Sequence, residues 1–253
     1  MRGLFALILI LAFGAPVSAV EIAPHRALFE ITLAGPSDVM ERARGLAAIE
    51  LRRACDGWRY RQRYELETVP VSGEATRSIF SLSAEESEDG RAYSFRSSTD
   101  YGGGPIEIVG RADAGEGEIW LTEPGAATLP LPKNARFIVG WIEQMLKAAR
   151  SGKRSVSGPW FVGASPEEPL LVNSLILPGP DANLSATQDA LTRPRGWRFI
   201  SGFFTDSNDP TPTYEAEETM LENGVMTEAV YHYDGYSLRL TAERLERLPP
   251  PSC

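Results

Sequence analysis

The side chains that could carry chemistry in this chain are few and scattered. Its two histidines, His25 and His232, stand at opposite ends of the sequence, and no Gly-x-Ser-x-Gly elbow accompanies either. A Ser-His-Asp or Cys-His centre therefore has no local signature. His25, within Pro24-His25-Arg26-Ala27 at the start of the first strand pattern, reads as structural or exposed. Acids cluster in Glu85-Glu86-Ser87-Glu88-Asp89 and in Glu215-Ala216-Glu217-Glu218. Paired carboxylates hydrolyse glycosides when they flank the scissile bond, but these runs read as a solvated turn and as solvent-facing strand positions. Tyr101-Gly102-Gly103-Gly104-Pro105 lacks both the Lys-Ser/Thr and the following helix of a phosphate loop. The expectation is a non-enzymatic protein without a cofactor.

Cys55 and Cys253 are the only cysteines, with no Cys-x-x-Cys spacing and no nearby histidine to suggest metal binding. Their meaning depends on compartment. Residues 1–19 carry Arg2, an apolar run from Leu4 to Phe13, a break at Gly14 and Pro16, and Val17-Ser18-Ala19. That is the pattern of a cleaved secretory signal peptide. The run is shorter than the roughly 20 residues a membrane span needs, and no cysteine at the cleavage site offers a lipid anchor. In an exported protein two cysteines read as one disulfide, Cys55 to Cys253.

Without Arg2 the chain keeps 24 basic against 34 acidic side chains. That balance argues against nucleic acid or an anionic membrane surface as the main partner. Residues 20–253 are long enough to bury a core, and they show no internal repeat, so one domain is expected; the proline-rich Leu129-Pro130-Leu131-Pro132 gives only a weak boundary.

The elements that must position any site are mostly strands. In 58–67, Trp58, Tyr60, Gln62, Tyr64 and Leu66 fall on one face and Arg59, Arg61, Arg63, Glu65 and Glu67 on the other, the period of a half-buried antiparallel strand. With the alternation of 47–52 and the turn signal Asp56-Gly57, residues 45–67 form a hairpin or bulged bend. Similar runs recur at 27–33, 78–83, 92–96, 106–112, 118–122, 158–162, 170–177, 197–204, 214–221, 225–233 and 236–245. Gly, Pro, Asn or Asp stands between them. The pattern predicts an all-β protein: one large antiparallel sheet that curls as a barrel, sandwich or spiral.

One segment differs. Phe137, Ile138, Trp141, Ile142, Met145, Leu146 and Ala149 recur at helical spacing, with Asn134 as candidate cap and Gly152 as stop. A single amphipathic helix in a curled sheet covers an open end or fills the hollow. Trp58, Tyr60, Phe137, Trp141 and Met145 are accordingly the candidate lining of an apolar cavity. The outward Arg59, Arg61 and Arg63 are a candidate partner surface, unless neighbouring strands supply acids that pair with them.

Several stretches together resemble the EipB-type cell-envelope integrity proteins. They are Pro24-His25-Arg26-Ala27, Ala54-Cys55-Asp56-Gly57-Trp58 with Gln62-Arg63, Asp89-Gly90 before an aromatic strand, Glu222-Asn223-Gly224-Val225, and the terminal Leu248-Pro249-Pro250-Pro251-Ser252-Cys253. The resemblance implies a periplasmic, non-enzymatic protein of spiral antiparallel β fold, with Cys55 and Cys253 bonded and a part in maintaining the bacterial envelope. It further implies likeness to periplasmic lipoprotein carriers, whose curved sheets enclose acyl chains. The chain departs from the family pattern at Phe137-Ile138-Val139-Gly140-Trp141 and at Phe161-Val162-Gly163. Two functional expectations follow: a scaffold that binds an envelope protein through its arginines and sheet edges, or a carrier that holds a lipid or lipoprotein acyl chain.

Overall fold

Alternation of apolar and polar residues gives most strands one face for a core and one for water, as over residues 25–31 and 92–97, where burial alternates residue by residue. In the computed structural model, which describes residues 21–165, 168–179, 191, 195–206 and 208–253, the strands form one antiparallel sheet. The signal peptide expected at residues 1–19 lies outside the described residues. The first meander comprises β1 (His25–Leu33), β2 (Met40–Ala54), β3 (Gly57–Pro70), β4 (Thr76–Ser87), β5 (Ala92–Asp100), β6 (Ile106–Asp113), β7 (Glu118–Glu123) and β8 (Ala127–Pro130). Helix α1 (Ile138–Arg150) follows. The second meander comprises β9 (Ser155–Trp160), β10 (Leu170–Pro178), β11 (Gly196–Phe204), β12 (Tyr214–Leu221), β13 (Met226–Tyr233) and β14 (Tyr236–Arg247).

The strand order is β8-β7-β6-β5-β4-β3-β2-β1-β14-β13-β12-β11-β10-β9. The chain thus starts at the centre and walks to one edge. It then crosses through α1 to the other edge and walks back until β14 pairs with β1, from His25 opposite Arg247 to Leu33 opposite Leu238. Both open edges are poor sites for strand addition: β8 is four residues long and ends in Pro130, and β9 contains Pro159. The strand at β8 is an addition to the sequence reading, which took its prolines for a weak boundary.

The hairpin of β2 and β3 has Ala54 opposite Gly57, and the two strands stay in register over Ala43–Ala54. Gly57 has φ +150°, and a Cβ there would lie 2.0 Å from the carbonyl oxygen of Glu86, so only glycine lets β4 pass this close. Cys55 in this turn is bonded to Cys253, with 5.7 Å between their Cα atoms. The chain reaches it by crossing the start of β1, where the Leu248 N–H donates to the Pro24 carbonyl at 3.0 Å. The bond therefore spans β1 at the central seam. It does not close the sheet, whose open edges are elsewhere.

Helix α1 lies within the curl, burying Ile138, Val139, Trp141, Met145, Leu146, Ala148 and Ala149. Its C-terminus follows the sequence, with Gly152 in the left-handed region at φ +74°. The N-terminus does not. Asn134 is no cap; the N-cap position is Phe137, whose side chain makes no capping bond. The orphan N–H groups of Val139 and Gly140 instead donate to Oε2 and Oε1 of Glu86 at 2.7 and 2.8 Å. Glu86 is buried at the end of β4, which corrects its reading as part of a solvated turn. A carboxylate from another strand suits the positive end of the helix dipole and ties the helix to the sheet.

Candidate functional site

The inner faces pack as separate clusters: one about Tyr93, Phe95 and Phe137, one between α1 and β10 to β12, and one about Phe29, Ala47 and Leu240. Between them the curl encloses a cavity of about 470 Å³. That lies within the roughly 300–1,000 Å³ of small-ligand sites. Helix α1 contributes Ile138, Trp141, Ile142 and Met145 to its wall. The sheet contributes Phe29 and Ile31 from β1, Ile49 and Leu51 from β2, Phe80 and Leu82 from β4, and Leu238 and Leu240 from β14. Alternation explains their convergence, because each pair is spaced two residues apart on one strand. Tyr233 lines the cavity and is 40% exposed, so the wall reaches the surface there.

Of the five residues proposed from sequence as lining, Tyr60, Trp141 and Met145 contribute to this wall. Trp58 and Phe137 do not. Trp58 packs with Ile22, Leu51 and Val139 in a separate cluster, because the Glu86 cap brings the first turn of α1 down onto it. Phe137 is fully buried and stacked on Tyr93 with ring centroids 4.6 Å apart. Both are core.

Several of the polar groups on the wall come from β3, β12 and β13. Gln62 and Tyr64 lie on β3, Tyr214 and Glu218 on β12, and Tyr231 on β13. The Tyr231 hydroxyl donates to Glu218 Oε1 at 3.2 Å. Burial pushes the Glu218 carboxyl above the usual range, and the Tyr231 hydrogen bond opposes this. Burial also drives the Tyr60, Tyr64 and Tyr231 hydroxyls far up, so all three stay protonated, while Tyr233 is pushed up to about 12. Glu218 corrects the reading of Glu215-Ala216-Glu217-Glu218 as wholly solvent-facing. It shares its face with the buried Ala216 and Met220.

Two further titratable groups touch the wall. Glu168 accepts from the backbone N–H groups of Val162, Gly163 and Ala164 at 2.7, 2.6 and 3.1 Å. Burial, opposed by those bonds, pushes it up to about 7. It folds a loop that lies against β5, where Tyr93 and Ser97 donate to the carbonyls of Val162 and Gly163. His25 is buried, its Nδ1 2.8 Å from the Ala23 carbonyl, and burial lowers its pKa. It is a structural imidazole, as its place in the sequence suggests. Among the described residues no group of three His, Cys, Asp or Glu side chains is placed to hold a metal.

The three arginines point outward. Arg59 pairs with Glu85 across the β3–β4 ladder at 2.9 Å, and Arg63 with Glu65 at 2.8 Å. Arg61 stands between them over an outer groove shared with Arg26, Glu50 and Arg96.

Residues 16–249 match the EipB-like family. The chain belongs to the EipB-like family. It is 22% identical over 244 residues, 88% of this chain and 83% of the relative, to the cell envelope integrity protein EipB of Brucella abortus (strain 2308). Its fold resembles a crystal structure described as a beta-barrel-like protein of a domain of unknown function, also from Brucella abortus. The TM-score is 0.80 at 18% identity, over 91% of this chain and all of the other. The fold is thus the large curled antiparallel sheet expected from the strand pattern, with β8 and β9 left unpaired as its edges, and the disulfide at its seam fits an envelope protein. Among the described residues no helix is long and apolar enough to cross a membrane.

Proposed function

We propose that this EipB-like protein is exported to the periplasm as a single domain and supports envelope integrity by holding an acyl-type apolar ligand inside its curled sheet. The observation that carries this reading is the cavity of about 470 Å³ roofed by α1, with a predominantly aliphatic and aromatic wall. An apolar hollow of this size left to water forgoes the contacts a packed core would make, and an acyl chain would restore them. The relative's name concerns the envelope, where lipids and lipoproteins must pass between membranes. The scaffold alternative draws less support. Two of its three arginines are already paired, and the sheet edges are short or proline-bearing.

The test is native mass spectrometry of the protein purified from its own periplasm, followed by lipid extraction and displacement of the neutral dye N-phenyl-1-naphthylamine. Carrier function predicts a lipid adduct and dye fluorescence lost on adding long-chain alcohols. Recovery of bare protein that binds no dye, with an envelope protein bound in its place, would sink it.

A further inference from the structure

The charge of the cavity wall is one-sided. Among the described residues that line it there is no lysine and no arginine, while Glu218 and Glu168 are both present. The basic side chains of the same strands are turned outward: Arg59, Arg61 and Arg63 on β3 alternate with Tyr60, Gln62 and Tyr64, and Arg26 on β1 alternates with Ala27. The one basic group at the wall, His25, is kept neutral by burial. Glu168 is occupied by three backbone N–H donors.

Glu218 is different. It sits on the wall between Ala216 and Met220, and its one hydrogen bond among the described residues is the long one from Tyr231. A carboxyl offers acceptor positions beyond that single bond, so capacity remains for donors on a ligand. The hydroxyls of Tyr60, Tyr64, Tyr214 and Tyr231 all lie within the field of Glu218, which adds to the rise of each. A tyrosine hydroxyl could donate to an anion, but burial already raises the Glu218 carboxyl above its usual range, and an anionic head group beside it would meet the same desolvation with no lysine or arginine among the described residues of the wall to offset its charge.

We propose that the cavity selects acyl ligands whose polar end is uncharged or cationic and donates hydrogen bonds to Glu218, and excludes free fatty acids and other anionic amphiphiles. An amide-linked acyl chain meets that requirement at its N–H, and a mono- or diglyceride at its free hydroxyl. A free carboxylate does not. The assignment rests on the carrier reading above, and the two are separated by comparing probes of one chain length.

The experiment is displacement of N-phenyl-1-naphthylamine at pH 8 by dodecan-1-ol, dodecylamine and dodecanoate. The alcohol and the amine are expected to displace at concentrations at least tenfold lower than dodecanoate. Glu218→Gln, nearly isosteric and checked for an unchanged melting curve, is expected to bring dodecanoate within about threefold of the alcohol. Equal or tighter binding of dodecanoate to the unaltered protein overturns the head-group selection while leaving the cavity a ligand site. An unchanged ratio in Glu218→Gln overturns the role of Glu218. If the variant does not fold, the wild-type panel decides by itself, and if the dye does not bind at all, the carrier reading fails first.

Discussion

Removing the carboxyl that caps α1 tests the connection between helix and sheet. In Glu86→Ala the N–H groups of Val139 and Gly140 lose acceptors at 2.7 and 2.8 Å in a buried place. Each unsatisfied buried donor costs about 1–3 kcal/mol, and relaxation or water admitted to the new space offsets part, leaving an expected loss of about 2–4 kcal/mol. The cost depends on pH, because burial pushes Glu86 up to about 7 against the pull of those two bonds. A carboxyl that holds its proton more tightly when folded stabilises the fold fully below its unfolded value near 4.5, and that contribution disappears as pH rises through about 7. At 1.36 kcal/mol per pH unit the span from 4.5 to about 7 amounts to about 3 kcal/mol. Glu86→Ala should therefore lower Tm by roughly 5–15 °C at pH 5 and by much less at pH 8, given about 2–4 °C per kcal/mol for a chain of this size. Thermal unfolding by circular dichroism at the two pH values reads both effects. Asn134→Ala is the control, since Asn134 does not cap the helix, and should stay within about 0.5 kcal/mol at either pH. If Asn134→Ala costs as much as Glu86→Ala, or if the Glu86 loss is larger at pH 8 than at pH 5, the argument is wrong.

Glu168 is raised to about 7 by the same cause, so Glu168→Gln should flatten the fall in Tm between pH 5 and pH 8, measured against wild type; an unaltered slope would remove Glu168 from the titration. The disulfide closes a span of 198 residues, for which the chain-entropy model gives about 5 kcal/mol. Cys55→Ser, or wild type with reductant, should melt roughly 10 °C or more below the oxidised protein, and identical melting would show the bond to be idle. Arg59→Ala breaks a pair whose side chains are both more than half exposed and should cost under about 1 kcal/mol in urea unfolding; a larger loss would make the outer face structural.

Most of the fold was legible because its signal is periodic. Alternation from Trp58 to Glu67 fixed which face of β3 turns inward, and the observed burial follows it. The helix was legible from the spacing of Trp141, Met145 and Ala149, but its cap was not, because the capping group comes from a strand 53 residues earlier. No rule confined to the helix's own neighbourhood could find it. Glu86 and Glu218 are hidden by their company: each stands in a run of acids, and a run of acids reads as solvated. A phase signal was nevertheless present. Glu86 continues the inward series of Leu82 and Ala84, and Glu218 lies between Ala216 and Met220. Extending the period of two through the acids would have turned both inward. Trp58 and Phe137 lie on the faces that lead toward the cavity, but their positions at the strand start and the helix start put them in packed core clusters instead.

The topology assigns the two fastenings of this protein to different tasks. The β1–β14 seam is already a full antiparallel ladder, and the disulfide reinforces it across the start of β1, so the region where early and late chain meet is held twice. The edges β8 and β9 have no ladder between them; a lone parallel bridge from Arg136 to Trp160 and the helix itself stand in that gap. The helix side has no strand ladder among the described residues; besides the apolar packing of α1 it is attached by side-chain bonds, among them Glu86 to the first turn and Arg150 Nη2 to the Glu222 carbonyl at 2.8 Å. Such bonds can be broken and remade without unravelling a strand ladder, at a cost of a few kcal/mol against the much larger cost of opening the seam. The carrier function proposed above would draw on this asymmetry: a covalently fastened spine opposite a wall held by the apolar packing of α1 and a few side-chain bonds in place of a strand ladder.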